Sequence, residues 1–217
     1  MVNIALLAVA AALLAGLLAG ERRESTSLKL IFKTPLSVLF VVAVLVQPHP
    51  LPFYYHLILA GLVCGLIGDV CLALKRRRSF TAGLVAFLLG HILYVVAFVC
   101  LTDLRDWLTP VHFLVAAVSG GVFLWLRPRL GPMLVPVTIY IVVISVMLTA
   151  AWVAFLNLAL NPTGAWALFV GALSFYASDL FVARDRFVKT EFLNRFVGLP
   201  LYYAGQFLLA FSVGLVR

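Results

Sequence analysis

Charged side chains are scarce in this sequence, at 11% of 217 residues, against roughly a quarter in a soluble domain. A chain so poor in polar groups cannot cover a water-facing surface, and a mean hydropathy of +1.15 excludes an ordinary soluble fold. Acidic residues are the rarer sign, eight in all. Cysteine occurs three times (Cys64, Cys71, Cys100), each inside an apolar run and without ligand spacing. Neither a disulfide framework nor a thiolate metal site is implied. His-Glu-x-x-His, Gly-x-Ser-x-Gly and Walker-type loops are absent too, which sets aside zincin, α/β-hydrolase and P-loop chemistry. His91, Asp69 and Asp179 make a thin ligand set for a metal, and no metal or cofactor is expected.

What the sequence has in abundance is apolar run length. Such runs lie at about 2–20, 30–47, 54–74, 80–101, 109–126, 132–156, 163–183 and 196–216, each near the ~20 residues that cross a bilayer. The expected fold is all-α, a polytopic membrane bundle of about eight transmembrane helices forming a single domain over residues 1–217. The first run lacks a positive n-region and reads as a retained span rather than a signal peptide. Connectors are short and hold Pro, Gly, Asn or charge, as in Gln47-Pro48-His49-Pro50 and Asn161-Pro162-Thr163-Gly164. Short connectors make most sequential helices antiparallel neighbours.

Basic residues are distributed unevenly. Arg22, Arg23 and Lys29 follow the first run, Lys75 to Arg78 the third, Arg127 and Arg129 the fifth, and Arg184, Arg186 and Lys189 the seventh. The opposite side, termini included, holds only Arg105 and Arg217. The positive-inside rule then predicts cytoplasmic basic loops and both termini on the non-cytoplasmic side. The bias also accounts for the net charge of +8 without a nucleic-acid partner.

Six acidic residues sit in loops or at helix ends; Asp69 and Asp179 do not. An aspartate within a span costs ~2.5–3.5 kcal/mol at the centre on insertion scales, so it faces the bundle interior and marks function; the bland alternative is an interhelical hydrogen bond. Each Asp lies about five residues, ~7–8 Å, from the basic-side end of its run, so the two share one membrane layer. Lys33 and Thr34, His91 and Tyr94, Thr138 and Tyr140, and Tyr202, Tyr203 and Gln206 reach the same layer from helices rising out of the basic loops. Singly these residues read as snorkelling or interhelical bonds; together they predict a polar cavity opening toward the cytoplasmic leaflet. Small residues at Gly61, Gly65 and Gly68 and at Gly171, Ala172 and Ser178 predict a close approach of helices 3 and 7.

Several motifs then fall into one order along the chain: Phe32-Lys33-Thr34-Pro35-Leu36, Gly65-Leu66-Ile67-Gly68-Asp69, Gly90-His91-x-x-Tyr94, Ser174-Phe175-x-x-Ser178-Asp179 and Leu201-Tyr202-Tyr203-Ala204-Gly205-Gln206. Together they resemble the YhhN-like lysoplasmalogenase family of eight-helix membrane hydrolases, departing from it at Gly205, where the family pattern has Ala. The resemblance implies cleavage of the vinyl ether bond of lysoplasmalogen, a lysophospholipid, to fatty aldehyde and glycerophospho-ethanolamine or -choline. It implies Asp69 and Asp179 as the catalytic pair, one acid and the other base or stabiliser. Lys33 would meet the lipid phosphate, and His91, Tyr94, Tyr140, Tyr202, Tyr203 and Gln206 would position water and the glycerol hydroxyl. The membrane would be the inner membrane of a bacterium or the endoplasmic reticulum of a eukaryote. Rival readings are a small proton-coupled transporter, since intramembrane Asp, His and Tyr also build proton relays, and a hydrolase of another ether or ester lysolipid.

Overall fold

The computed structural model describes residues 2–74, 77–107 and 109–217, so Lys75 and Arg76 of the predicted basic loop lie outside the described residues. Within them the chain forms α1 (Val2–Arg22), α2 (Thr26–Leu45), α3 (Pro52–Ala73), α4 (Arg77–Val99), α5 (Val111–Leu130), α6 (Leu134–Leu156), α7 (Pro162–Ala183) and α8 (Phe192–Leu215). Helices are what lipid demands, because a backbone without water must satisfy its own N–H and C=O groups. Their starts follow local chemistry. Ser25 caps α2 by accepting from the Leu28 N–H at 3.3 Å, Asn161 caps α7 through the Thr163 N–H at 3.0 Å, and Pro52 and Pro162 occupy first-turn positions.

Seven stretches of the described residues are long and apolar enough to cross a membrane, and one of them, Val111–Leu156, runs for 46 residues. That stretch is two spans. In one straight helix, Ser119 and Ser145 would stand about 39 Å apart; their hydroxyl oxygens are 2.6 Å apart. The chain reverses at Gly131, whose φ of +48° opens a short 3₁₀ turn over Gly131–Met133. Arg127 and Arg129, expected in a connector, belong instead to the last turn of α5, and Arg129 donates to the Trp125 carbonyl at 2.7 Å. Cations suit a helix C-terminus, where carbonyls are left without intrahelical donors. Arg184–Val188, also expected as connector, prolongs α7 as a π-helical turn.

Helix α8 lies at the centre of the bundle, against α7, α2, α3 and α1. From α2 the packing continues through α3 to α4, then to α6 and α7, and back to α8, with α5 outside α6. The predicted approach of α3 to α7 is corrected by this order. A Cβ on Gly61 would meet the Tyr94 ring of α4 at 2.3 Å, and one on Gly68 the Phe87 ring of α4 at 2.6 Å. Gly171 faces Leu209 and the Gly205 carbonyl of α8. Gly61 and Gly68 therefore seat α3 on α4, Gly65 faces α8, and Gly171 seats α7 on α8. Sequence spacing reveals that a face is small; it carries no label for the partner.

The two termini share one end of the bundle. Gln47 donates to Asn3 at 3.1 Å, Pro48 abuts Gly214, and the Asn161 N–H donates to the Val216 carbonyl at 3.1 Å. Lys29 and Arg195 pair with Glu21, at 2.5 and 3.4 Å, at the other end. Large apolar side chains such as Ile4, Phe113, Leu114 and Leu124 face outward, as a lipid solvent permits. The protein is a multi-pass membrane protein.

Candidate active site

A cavity of about 680 Å³ opens at the basic end and is lined from all eight helices. Both spanning aspartates reach it. Asp69 lies four residues before the end of α3 and Asp179 four residues before the end of α7, so the two sit at matched depth as the spacing predicts.

Asp69 is almost completely buried, at 1% exposure. Its Oδ1 is 3.0 Å from the Lys33 ammonium, and its Oδ2 accepts from the Ser37 hydroxyl at 2.6 Å and the Tyr202 hydroxyl at 2.7 Å. Three donors converge on one carboxyl group, which is the partner set of a carboxylate acting only as acceptor. Three further bonds hold the donors in turn. Tyr94 donates to Gln206 Oε1 at 2.8 Å, and Gln206 Nε2 donates to the Tyr202 hydroxyl at 3.1 Å. The Tyr203 hydroxyl is 3.2 Å from Ser37 Oγ. Local sequence makes room for this chain of bonds. Gly65 has Gln206 Nε2 only 2.7 Å from where a Cβ would stand, so any side chain there would displace it.

Asp179 is held more loosely. Its side chain is 19% exposed; Oδ2 accepts from the Tyr140 hydroxyl at 2.7 Å, with His91 Nε2 3.9 Å away. Among the described residues no lysine or arginine pairs with Asp179, and Oδ1 accepts no hydrogen bond. His91 Nδ1 is 2.7 Å from the Phe87 carbonyl, which fixes the N–H there and leaves Nε2 as an acceptor without a partner. Phe175 and Tyr140 pack their rings against the imidazole at 4.5 and 5.1 Å.

Of the residues predicted to meet substrate, Lys33, Tyr140 and Tyr202 line the cavity beside the two aspartates. His91, Tyr94, Tyr203 and Gln206 are buried at 2% exposure or less and form the layer behind it. His91, Tyr203 and Gln206 touch Tyr140 or Tyr202, which line the cavity, and Tyr94 reaches it through Gln206. Lys33, predicted as a phosphate contact, has Asp69 as its partner. Thr138 bonds only its own helix, at the Leu134 carbonyl. Sequence reasoning missed Ser37, although its spacing of four from Lys33 puts both on one face of α2. It also missed the rim, where Glu21, Lys29, Asp185, Arg186 and Arg195 meet. No group of three or more His, Cys, Asp or Glu converges among the described residues.

A family model described as the YhhN family matches residues 28–213. A Mycobacterium bovis protein named lysoplasmalogenase is 32% identical over 182 residues, covering 80% of this chain and 64% of that protein. A Bos taurus protein named lysoplasmalogenase TMEM86A is 33% identical over 161 residues, covering 71% of this chain and 64% of the relative. An Escherichia coli protein named uncharacterized membrane protein YhhN is 30% identical over 198 residues, covering 88% and 89%. The chain thus spans about two thirds of the length of the relatives named lysoplasmalogenase, and nearly all of the E. coli protein. No solved structure matches. Matched from the start of α2 to the end of α8, the chain belongs to the YhhN family.

Proposed function

We propose that this protein hydrolyses the vinyl ether bond of lysoplasmalogens, releasing a fatty aldehyde and a glycerophospho-ethanolamine or -choline. The observation that carries the reading is the pair of unlike carboxyl groups on one cavity, one compensated by a cation and the other open. Relatives named lysoplasmalogenase supply the substrate class.

Vinyl ethers hydrolyse through protonation at carbon. Asp179 is the proton donor in this mechanism. Tyr140 occupies Oδ2, so Oδ1 carries the proton into the cavity. The proton goes to the β-carbon of the enol ether, and the α-carbon becomes an oxocarbenium ion bonded to the glycerol oxygen. Asp69, kept as an anion by Lys33, Ser37 and Tyr202, lowers the energy of that cation, since a fixed charge in a dry site acts without reorganising. Water adds to the α-carbon and loses its proton to the Asp179 carboxylate, which restores the acid. The resulting hemiacetal then collapses to aldehyde and glycerol hydroxyl. The glycosidase carboxylate pair is the chemical parallel.

The apolar wall from α5 and α6, with Leu126, Val137, Ile141 and Ile144, suits the alkenyl chain. By the positive-inside rule the basic end lies in the cytoplasmic leaflet, with both termini on the other side. The test is aldehyde release from lysoplasmalogen by the purified full chain in liposomes. Asp69→Asn and Asp179→Asn should each remove it almost entirely, while Tyr94→Phe, one layer back, should retain most. Full activity in either Asn variant would refute the mechanism.

A further inference from the structure

Of the basic side chains that line the cavity, Lys33 pairs with Asp69 at 3.0 Å, Lys29 with Glu21 at 2.5 Å, and Arg195 with Glu21 at 3.4 Å and Asp185 at 3.2 Å. Arg186 is the exception: among the described residues no carboxylate pairs with it. It is nevertheless positioned. Its Cζ sits 4.2 Å above the Phe80 ring of α4, and Phe187 meets the edge of the same ring at 6.4 Å. A guanidinium stacked this way keeps its N–H fork free for a planar or tetrahedral anion. We infer that Arg186 is the phosphate anchor of the substrate site, binding the phosphodiester of the lysolipid head group at the rim while the ether reaches Asp179. This deepens the proposed hydrolase reading and rests on it.

Spacing supports the assignment. Arg186 follows Asp179 by seven residues along α7 and its π-helical continuation. Both side chains line the one cavity, and seven residues rise about 10 Å along a helix. In a 1-alkenyl lysolipid seven bonds separate the β-carbon that takes the proton from phosphorus, roughly 9 Å when extended. One helix and its continuation therefore offer the cavity an acid and a cation at about the separation of the two substrate groups. Lys33, the alternative anchor, is nearly buried beside a carboxylate, and a phosphate there would have to displace Asp69.

The test is binding of saturated ether probes, which cannot be hydrolysed by this route. The full chain in nanodiscs is titrated with 1-O-hexadecyl-lysophosphoethanolamine and with 1-O-hexadecylglycerol, which lacks the phosphate. Arg186→Gln should weaken the first by roughly 10- to 100-fold and leave the second unchanged, with Arg186→Lys in between. Equal affinity of wild type and Arg186→Gln for the phosphate probe would overturn the proposal. Equal loss for both probes would overturn it too, since Arg186 would then be supporting the fold. Competition by millimolar inorganic phosphate matching that of the lysolipid would reassign the site to the free anion. Aldehyde release is measured in parallel on wild type. If none occurs while the probe contrast holds, the hydrolase reading fails and the phosphate site stands.

Discussion

Replacing Lys33 by methionine keeps most of the length of the side chain and removes its charge, leaving Asp69 buried with two hydroxyl donors. At the 3.0 Å separation, the pair attracts by about 5.5 kcal/mol at an effective dielectric of ~20. Against that stands a desolvation cost of several kcal/mol per ion. The intact pair is therefore close to neutral in net stability, while removal of one partner costs ~3–5 kcal/mol. Ser37 and Tyr202 still donate, which puts the expected loss for Lys33→Met at the lower end, about 3 kcal/mol. The double variant Lys33→Met/Asp69→Asn removes both charges and should return to within ~1–2 kcal/mol of wild type. The assay is denaturant unfolding in micelles followed by the fluorescence of the four tryptophans, arranged as a double-mutant cycle. Aldehyde release is read alongside. The double variant should be folded and inactive, because the anion that stabilises the oxocarbenium ion is gone. A Lys33→Met protein as stable as wild type, or a double variant destabilised by the sum of the two singles, would refute the charge-compensation argument.

Tyr140→Phe removes the hydroxyl that orients Asp179; a bond of this class is worth ~1.5–3 kcal/mol, so kcat should fall about 10- to 100-fold with KM little changed. Gly164→Ala brings a Cβ within 2.3 Å of the Leu215 backbone, and because backbone cannot yield as a side chain does, it should cost ~1–3 kcal/mol in the same unfolding assay. Gly120→Ala, which meets nothing within 4 Å, is the control and should show no loss. At the rim turn, Glu191 lies below its ordinary value of 4.5 through hydrogen bonds from Lys189 and then Arg184. A depressed folded pKa means that its contribution is present above the unfolded value and is lost as pH falls through the folded one. The Glu191 carboxyl ¹³C shift should titrate with a midpoint below 4.5, and Lys189→Gln should move that midpoint upward.

The spans were legible in the sequence because the bilayer reduces the problem to one dimension: ~20 apolar residues make a helix wherever they occur. Ends were less legible. Arg127 and Arg129 read as loop by charge but finish α5, since basic side chains suit a helix C-terminus as well as a polar connector. Asp69 and Asp179 stood out because lipid makes a carboxyl group costly, and their equal distance from a basic loop placed both in one layer. That much required only spacing and charge.

Partner choice required the fold. Nothing in the spacing of Gly61, Gly65 and Gly68 shows that Gly61 and Gly68 face α4 and Gly65 faces α8, rather than all three facing α7; shape complementarity between whole helices decides it. The same holds for the two aspartates. As residues they are identical, and only the arrival of Lys33, Ser37 and Tyr202 from α2 and α8 makes Asp69 a compensated carboxylate while Asp179 faces the cavity beside Tyr140. A bundle with two intramembrane carboxyl groups at one depth is readable from spacing and charge, because depth depends on distance along a single helix. What surrounds each carboxyl group comes from the fold, because it depends on which side chains distant in the chain are brought within about 3 Å of it.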